Sequence, residues 1–94
     1  MVRVVYLGRL VILDPAVNDK IQQKHNITFD EVVEALQHPA EVLAGWEDHP
    51  AYGERVVAVG SVASGDKVLG ILKPVPQWDN QADTWDIKTA RWVK

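Results

Sequence analysis

Histidine, serine, paired carboxylates and tryptophan are the residue types in this chain whose chemistry could make a site, and their spacing narrows the choice. His25, His38 and His49 lie 13 and 11 residues apart, without the i, i+4 pair of a helical zinc site or the short intervals of a zinc finger. They read as surface or loop histidines, and no metal or other cofactor is expected. Ser61 and Ser64 fall in or beside an expected hairpin, not on the sharp strand-to-helix turn that exposes a catalytic serine. Glu31 with Glu34, or Glu41 with Glu47, could work as acid and base, but each pair reads more simply as a solvated helix face or a strand end. The glycines are dispersed, so no phosphate-cradling loop forms. Trp46, Trp78, Trp85 and Trp92 make four tryptophans in 94 residues. Trp85 and Trp92 are an odd number of residues apart, so a regular strand sends them to opposite faces. One then enters the core and the other meets a partner or stacks on a base.

The elements that must position these residues follow from local signals. Residues 2–13 are rich in Val, Leu and Ile and read as an N-terminal strand, with Gly8 marking a bulge or bend. Asp14 and Pro15 open a helix over 15–25, because Asp accepts from free backbone N–H groups and Pro has none to leave unpaired. Its apolar stripe, Ala16, Val17 and Ile21, is thin, and Asn26 suits the left-handed residue that ends it. A second helix is marked by the capping box Thr28 and Glu31, the staple Ile27 and Val32, and the buried-face spacing of Phe29, Val32, Val33 and Leu36; Pro39 stops it near His38. Residues 41–46 suit either a strand or a last helical turn, and 47–53 a loop. Strands over 55–62 and 67–75 are joined by Ala63-Ser64-Gly65-Asp66, and a last strand covers 84–93 after a loop over 76–83. The order implies an α+β fold in which an N-terminal strand and two helices pack on one face of a three- to five-stranded antiparallel sheet. The other face stays partly open as a binding platform.

At 94 residues there is room for one core, so residues 1–94 are read as a single domain. Apolar residues at 47% and charged ones at 24% place the chain among globular proteins rather than disordered ones. With no cysteine, neither disulfides nor a thiolate metal site hold it together. The apolar run 2–13 carries Arg3 and Arg9 and is too short to span a bilayer, so a cytoplasmic protein with no membrane anchor is expected. A net charge of −3 counts against nucleic-acid binding unless the fold gathers scattered cations into a patch.

An ordered series of patches carries a family likeness. Asp14-Pro15, Lys24-His25-Asn26-Ile27-Thr28-Phe29-Asp30-Glu31, Pro39, Glu54-Arg55, Val59-Gly60, Gly65, Val68-Leu69 and Thr89-Ala90-Arg91 fall in the order found in BrnT-like toxins, and the chain resembles that family over about 80 residues. The resemblance implies a RelE-like fold, an endoribonuclease that inhibits translation in a type II toxin-antitoxin system, RNA as substrate and a cognate antitoxin as partner. Carried over by position, it implies catalytic roles for Lys24, His25, Arg55 and Arg91. Lys73 and Lys88, on neighbouring expected strands, are RNA-backbone candidates.

Such residues suit the reaction. Cleavage by a 2′-hydroxyl needs a proton acceptor, cations for the phosphate as charge builds and a proton donor for the leaving oxygen. His25 could move the proton while Arg55 and Arg91 grip the phosphate with planar forks. The four side chains are therefore expected to converge on one exposed groove. Asn26 stands where the family has Gly, and residues 73–81 form a proline-broken stretch without arginine. These departures keep a second reading in play: a catalytically inactive toxin-like module that binds a protein through its open sheet face. Open edge strands also make a homodimer an expectation.

Overall fold

A computed structural model describes residues 3–75 and 83–93. The chain runs β1 (Arg3–Val5), β2 (Arg9–Val11), α1 (Pro15–His25), α2 (Phe29–Leu36), β3 (Val42–His49), β4 (Gly53–Ser61), β5 (Lys67–Pro74) and β6 (Thr84–Val93). The six strands form one sheet in the order β1-β3-β4-β5-β6-β2. All neighbours are antiparallel except β2, which runs parallel to β6. The α+β class and the two helices on one face are as read from sequence. The purely antiparallel sheet of three to five strands is corrected to a mixed sheet of six. The expected loop over 76–83 and Trp78 lie, apart from Asp83, outside the described residues.

The N-terminal segment accounts for that correction. It is not one strand bent at Gly8 but two short strands on opposite edges of the sheet, separated by Tyr6, Leu7 and Gly8. A flat six-stranded sheet would hold its edges about 24 Å apart, whereas four Cα steps reach at most about 14 Å. The sheet must therefore curl until its edges nearly meet. Leu7 turns into the core at the crossing, and its carbonyl accepts from His38 N at 2.7 Å. Gly8 lies so close to Asp83 that an added Cβ would fall 2.3 Å from the Asp83 carbonyl. The Gln37 side chain accepts from Leu10 N at 2.8 Å, and Asp86 accepts from Leu13 N at 3.0 Å.

Both helices sit on the inner side of this curl, with local chemistry as the sequence dictates. Asp14 caps α1 by accepting from Ala16 N, and Asn26 closes it at φ 52° and ψ 42°. The Thr28–Glu31 capping box is complete. α2 ends at Leu36 rather than His38, because Gln37 leaves the helix and its neighbour's N–H goes to Leu7. Val32, Ala35 and Leu36 are fully buried against β4 and β5, where Val32 and Leu36 each contribute about 1.5–3 kcal/mol. α1 buries only Ile21 and leans on β6. Residues 42–46, ambiguous in sequence, belong to β3, which also takes up 47–49 of the expected loop.

Two glycines form the seat of α2. A Cβ on Gly60 would fall 2.0 Å from the Ala35 carbonyl oxygen, and one on Gly70 would fall 2.7 Å from Leu36. Gly65, in the β4–β5 turn at φ 95°, has open space around it. No described helix is long and apolar enough to cross a membrane.

The contrast between these glycines is measurable. Gly60→Ala should cost about 3 kcal/mol, the upper part of the overpacking range, and Gly65→Ala about 1–2 kcal/mol from the left-handed backbone alone. Urea unfolding of both variants tests this, and equal losses would contradict the close seating of α2. A second expectation concerns pH. The Tyr6 hydroxyl donates to Glu41 Oε1 at 2.6 Å, and that hydrogen bond, followed by the nearby carboxylate charge, raises the phenol above its ordinary 10.0. A raised value means the contribution is present below pH 10 and lost as pH climbs through the shifted value. Wild type and Tyr6→Phe should therefore differ in stability at pH 8 and converge well above pH 10, as followed by thermal unfolding.

Candidate functional site

Side-chain alternation gives the sheet an inner face on the core and an outer face free of helices. Strand register assigns the outer face in three cross-strand rows. One runs Val4, Leu43, Val59, Leu69, Arg91; the next runs Gly45, Val57, Ile71, Thr89. The third is charged, with Glu47 opposite Arg55 and Lys73 opposite Asp86. Arg91 and Arg55 thus share a face but stand at opposite ends of an apolar strip, on the order of 15 Å apart along the sheet.

Arg91 has close company. Together with Lys24, His25, Asn26, Leu69, Trp92 and Val93 it lines a solvent-open hollow of about 620 Å³. No carboxylate side chain is among these lining residues. Lys24 and Arg91 are exposed and His25 half-buried. None of the three side chains makes a hydrogen bond or ion pair among the described residues. Lys24 and His25 occupy the last turn of α1, where the partial negative charge of the helix terminus favours cations.

What joins α1 to β6 at this point is Trp92. Its indole N–H donates to the Asn26 carbonyl at 3.2 Å while its ring packs on the core. The Asn26 N–H in turn closes on Gln22, so Asn26 holds the left-handed turn that sets the Lys24–His25 pair. Adjacent strand residues point oppositely, so Trp92 anchors the helix end from the inner face as Arg91 faces out.

Trp85 is also on the inner face, which overturns the expectation that Trp85 and Trp92 point to opposite sides. The register shifts between Ile71 and Leu72, so that Ile71 pairs with Thr89 but Leu72 with Ile87. The extra residue, Lys88, resets the parity of β6. Trp85 then sits opposite Pro74 and Trp92 opposite Val68, two positions of the same face.

The remaining expected residues have other engagements. Arg55 donates from Nε and Nη2 to Glu47 Oε1 at 2.9 and 2.5 Å, with its guanidinium 5.7 Å from the Tyr52 ring centre. The expected convergence of four side chains is accordingly corrected to three: Lys24, His25 and Arg91 meet, and Arg55 stands apart. Lys73 Nζ donates to the Tyr52 carbonyl at 2.7 Å. Lys88 pairs with the buried Asp86 at 2.9 Å. Arg55, Lys73 and Lys88 are thus occupied with intramolecular partners. Sequence reading missed the positioning pair Trp92 and Asn26. Asn26 carried a signal as a helix terminator, but nothing in the sequence tied it to a tryptophan 66 residues away.

No protein-family model, curated protein or solved structure matches the chain.

Trp92→Phe keeps the ring and removes the N–H, leaving the Asn26 carbonyl to find water. A loss of about 1 kcal/mol is expected, with faster amide exchange confined to the last turn of α1 and to Asn26. Unchanged exchange there would mean that the indole does not hold the helix end against β6.

Proposed function

We propose that this chain is a toxin-like endoribonuclease on a RelE-like scaffold, as its resemblance to BrnT-like toxins implies, working in the cytoplasm and restrained by a cognate antitoxin. The observation carrying this reading is the joining of Lys24, His25 and Arg91 in one hollow without an opposing carboxylate among its lining residues. On an acidic chain, unneutralised cations concentrated in one place favour a phosphate.

The chemistry follows from the three groups. His25 takes the proton of a 2′-hydroxyl as its oxygen bonds to phosphorus, and Arg91 steadies the charge gathering on the non-bridging oxygens. As the bond from phosphorus to the 5′-oxygen breaks, the Lys24 ammonium supplies that oxygen with a proton. The products are a 2′,3′-cyclic phosphate and a 5′-hydroxyl. Arg55 takes no direct part, since its fork is closed on Glu47 across the apolar strip.

A specific observation favours a second reading as well. Val4 is 58% and Leu43 49% exposed, and they continue into Val59 and Leu69 to form an apolar band on the outer face. A protein partner covering that band is the antitoxin in the first reading and the whole function in the second, an inactive binding module.

Overexpression separates the two. Wild type should arrest growth and purified protein should cleave RNA, with Arg91→Ala and His25→Ala each losing about 100-fold or more in rate. Arg55→Ala should retain cleavage within a few-fold. Intact RNA in the presence of folded wild-type protein would discard the nuclease and leave the binding module.

A further inference from the structure

A second concavity lies on the inner side of the curled sheet, at the end the helices do not reach. α2 covers β4 and β5 near Gly60 and Gly70, and α1 covers β6. The opposite end is a cleft of about 450 Å³, with Arg3, Trp46, Asp83 and Trp85 among its lining residues, within the range of small-molecule sites. Its floor is aliphatic, from Val5, Ala44 and Val56, and its wall is aromatic. Trp46 and Trp85 have ring centres 6.0 Å apart at 54°, so they lean on each other without stacking. Trp46 remains 59% exposed on the core-facing side of its strand. An indole turned into a concavity yet left uncovered has a face available for another ring.

The rim carries charge of both signs. Arg3 enters from β1, opposite Ala44, and makes no ion pair among the described residues. Asp83 enters from the start of β6, where one carboxylate oxygen accepts from Trp85 Nε1 at 3.3 Å. The other oxygen accepts no hydrogen bond among the described residues. The hollow proposed for cleavage contains none of these residues.

We infer that this cleft is a nucleotide site, which stacks a base on Trp46, holds its phosphate on Arg3 and receives base-edge N–H donors on Asp83. Every base has a face to stack, and a guanidinium grips a phosphate in bidentate fashion. A carboxylate selects a base whose edge presents donors, which is guanine with N1–H and N2–H₂. The nucleotide is either free or one residue of an RNA strand, and the site does not depend on the cleavage reading.

Titration of the full chain with GMP, AMP, guanosine and a short single-stranded RNA, with and without guanine, followed by calorimetry, tests the assignment. GMP should bind more tightly than AMP or guanosine. Trp46→Ala should weaken binding about ten-fold or more, and Arg3→Gln should erase the advantage of GMP over guanosine. Saturation by GMP assigns a free nucleotide, and binding of the guanine RNA without GMP assigns a strand residue; either supports the site. Binding by neither, or binding indifferent to Trp46→Ala in folded protein, overturns it. Arg91→Ala serves as the separator: it should abolish RNA cleavage and leave GMP affinity unchanged, so failure of one site does not imply failure of the other.

Discussion

Tyr6, Leu7 and Gly8 join strands that lie at the two edges of a six-stranded sheet, and a tether this short leaves the sheet no flat solution. Curling follows from chain length alone, because the edges of an untwisted sheet of this width stand farther apart than the tether can reach. Leu7 makes the crossing favourable by burying its side chain at the point where the chain leaves one edge for the other. Gly8 makes it sterically feasible by letting the backbone pass against Asp83. The crossing also makes β2 parallel to β6, since the chain arrives at the far edge still travelling in the direction set by β1.

That curl divides the inner side of the sheet. One end is filled by α2, seated on Gly60 and Gly70, with α1 leaning on β6. At the other end, which neither helix covers, Trp46 and Trp85 wall a cleft. The single extra residue in β6 matters as much as either helix. Without it Trp85 and Trp92 would face opposite sides of the sheet, and only one of them could reach the core. A bulge is one of the few devices that alters which side chains share a face without altering the order of strands.

Electrostatics are settled by pairing rather than by net charge. Arg55 is occupied by Glu47, Lys88 by Asp86 and Lys73 by a backbone carbonyl. The half-exposed Arg55–Glu47 pair contributes little to stability, but together these contacts decide which cations remain available to a ligand. Lys24 and Arg91 beside His25 at one place, and Arg3 at another, are available in that sense among the described residues. An acidic chain can therefore present two separate places suited to an anion.

Much of the local structure was legible in the amino-acid order, because its causes lie within a few residues of their effects. Asp14 with Pro15, Asn26, and Thr28 with Glu31 mark both ends of one helix and the start of the next through hydrogen bonds between near neighbours in the chain. The β4–β5 hairpin and the last strand were marked by turn residues and β-branched runs in the same way. The split of the first strand was not legible, since Val2 to Leu13 is uniformly strand-like and only the distant partners β3 and β6 divide it. Nor was the parity of Trp85 and Trp92, which depends on where β5 places its register shift, or the separation of Arg55 from Arg91, which depends on strand length and spacing. The sequence alone determined where both helices begin, where the first one ends and which faces they bury. Only the tertiary structure decided which charged and aromatic side chains meet, because those meetings depend on sheet register and curl, which are properties of several strands at once.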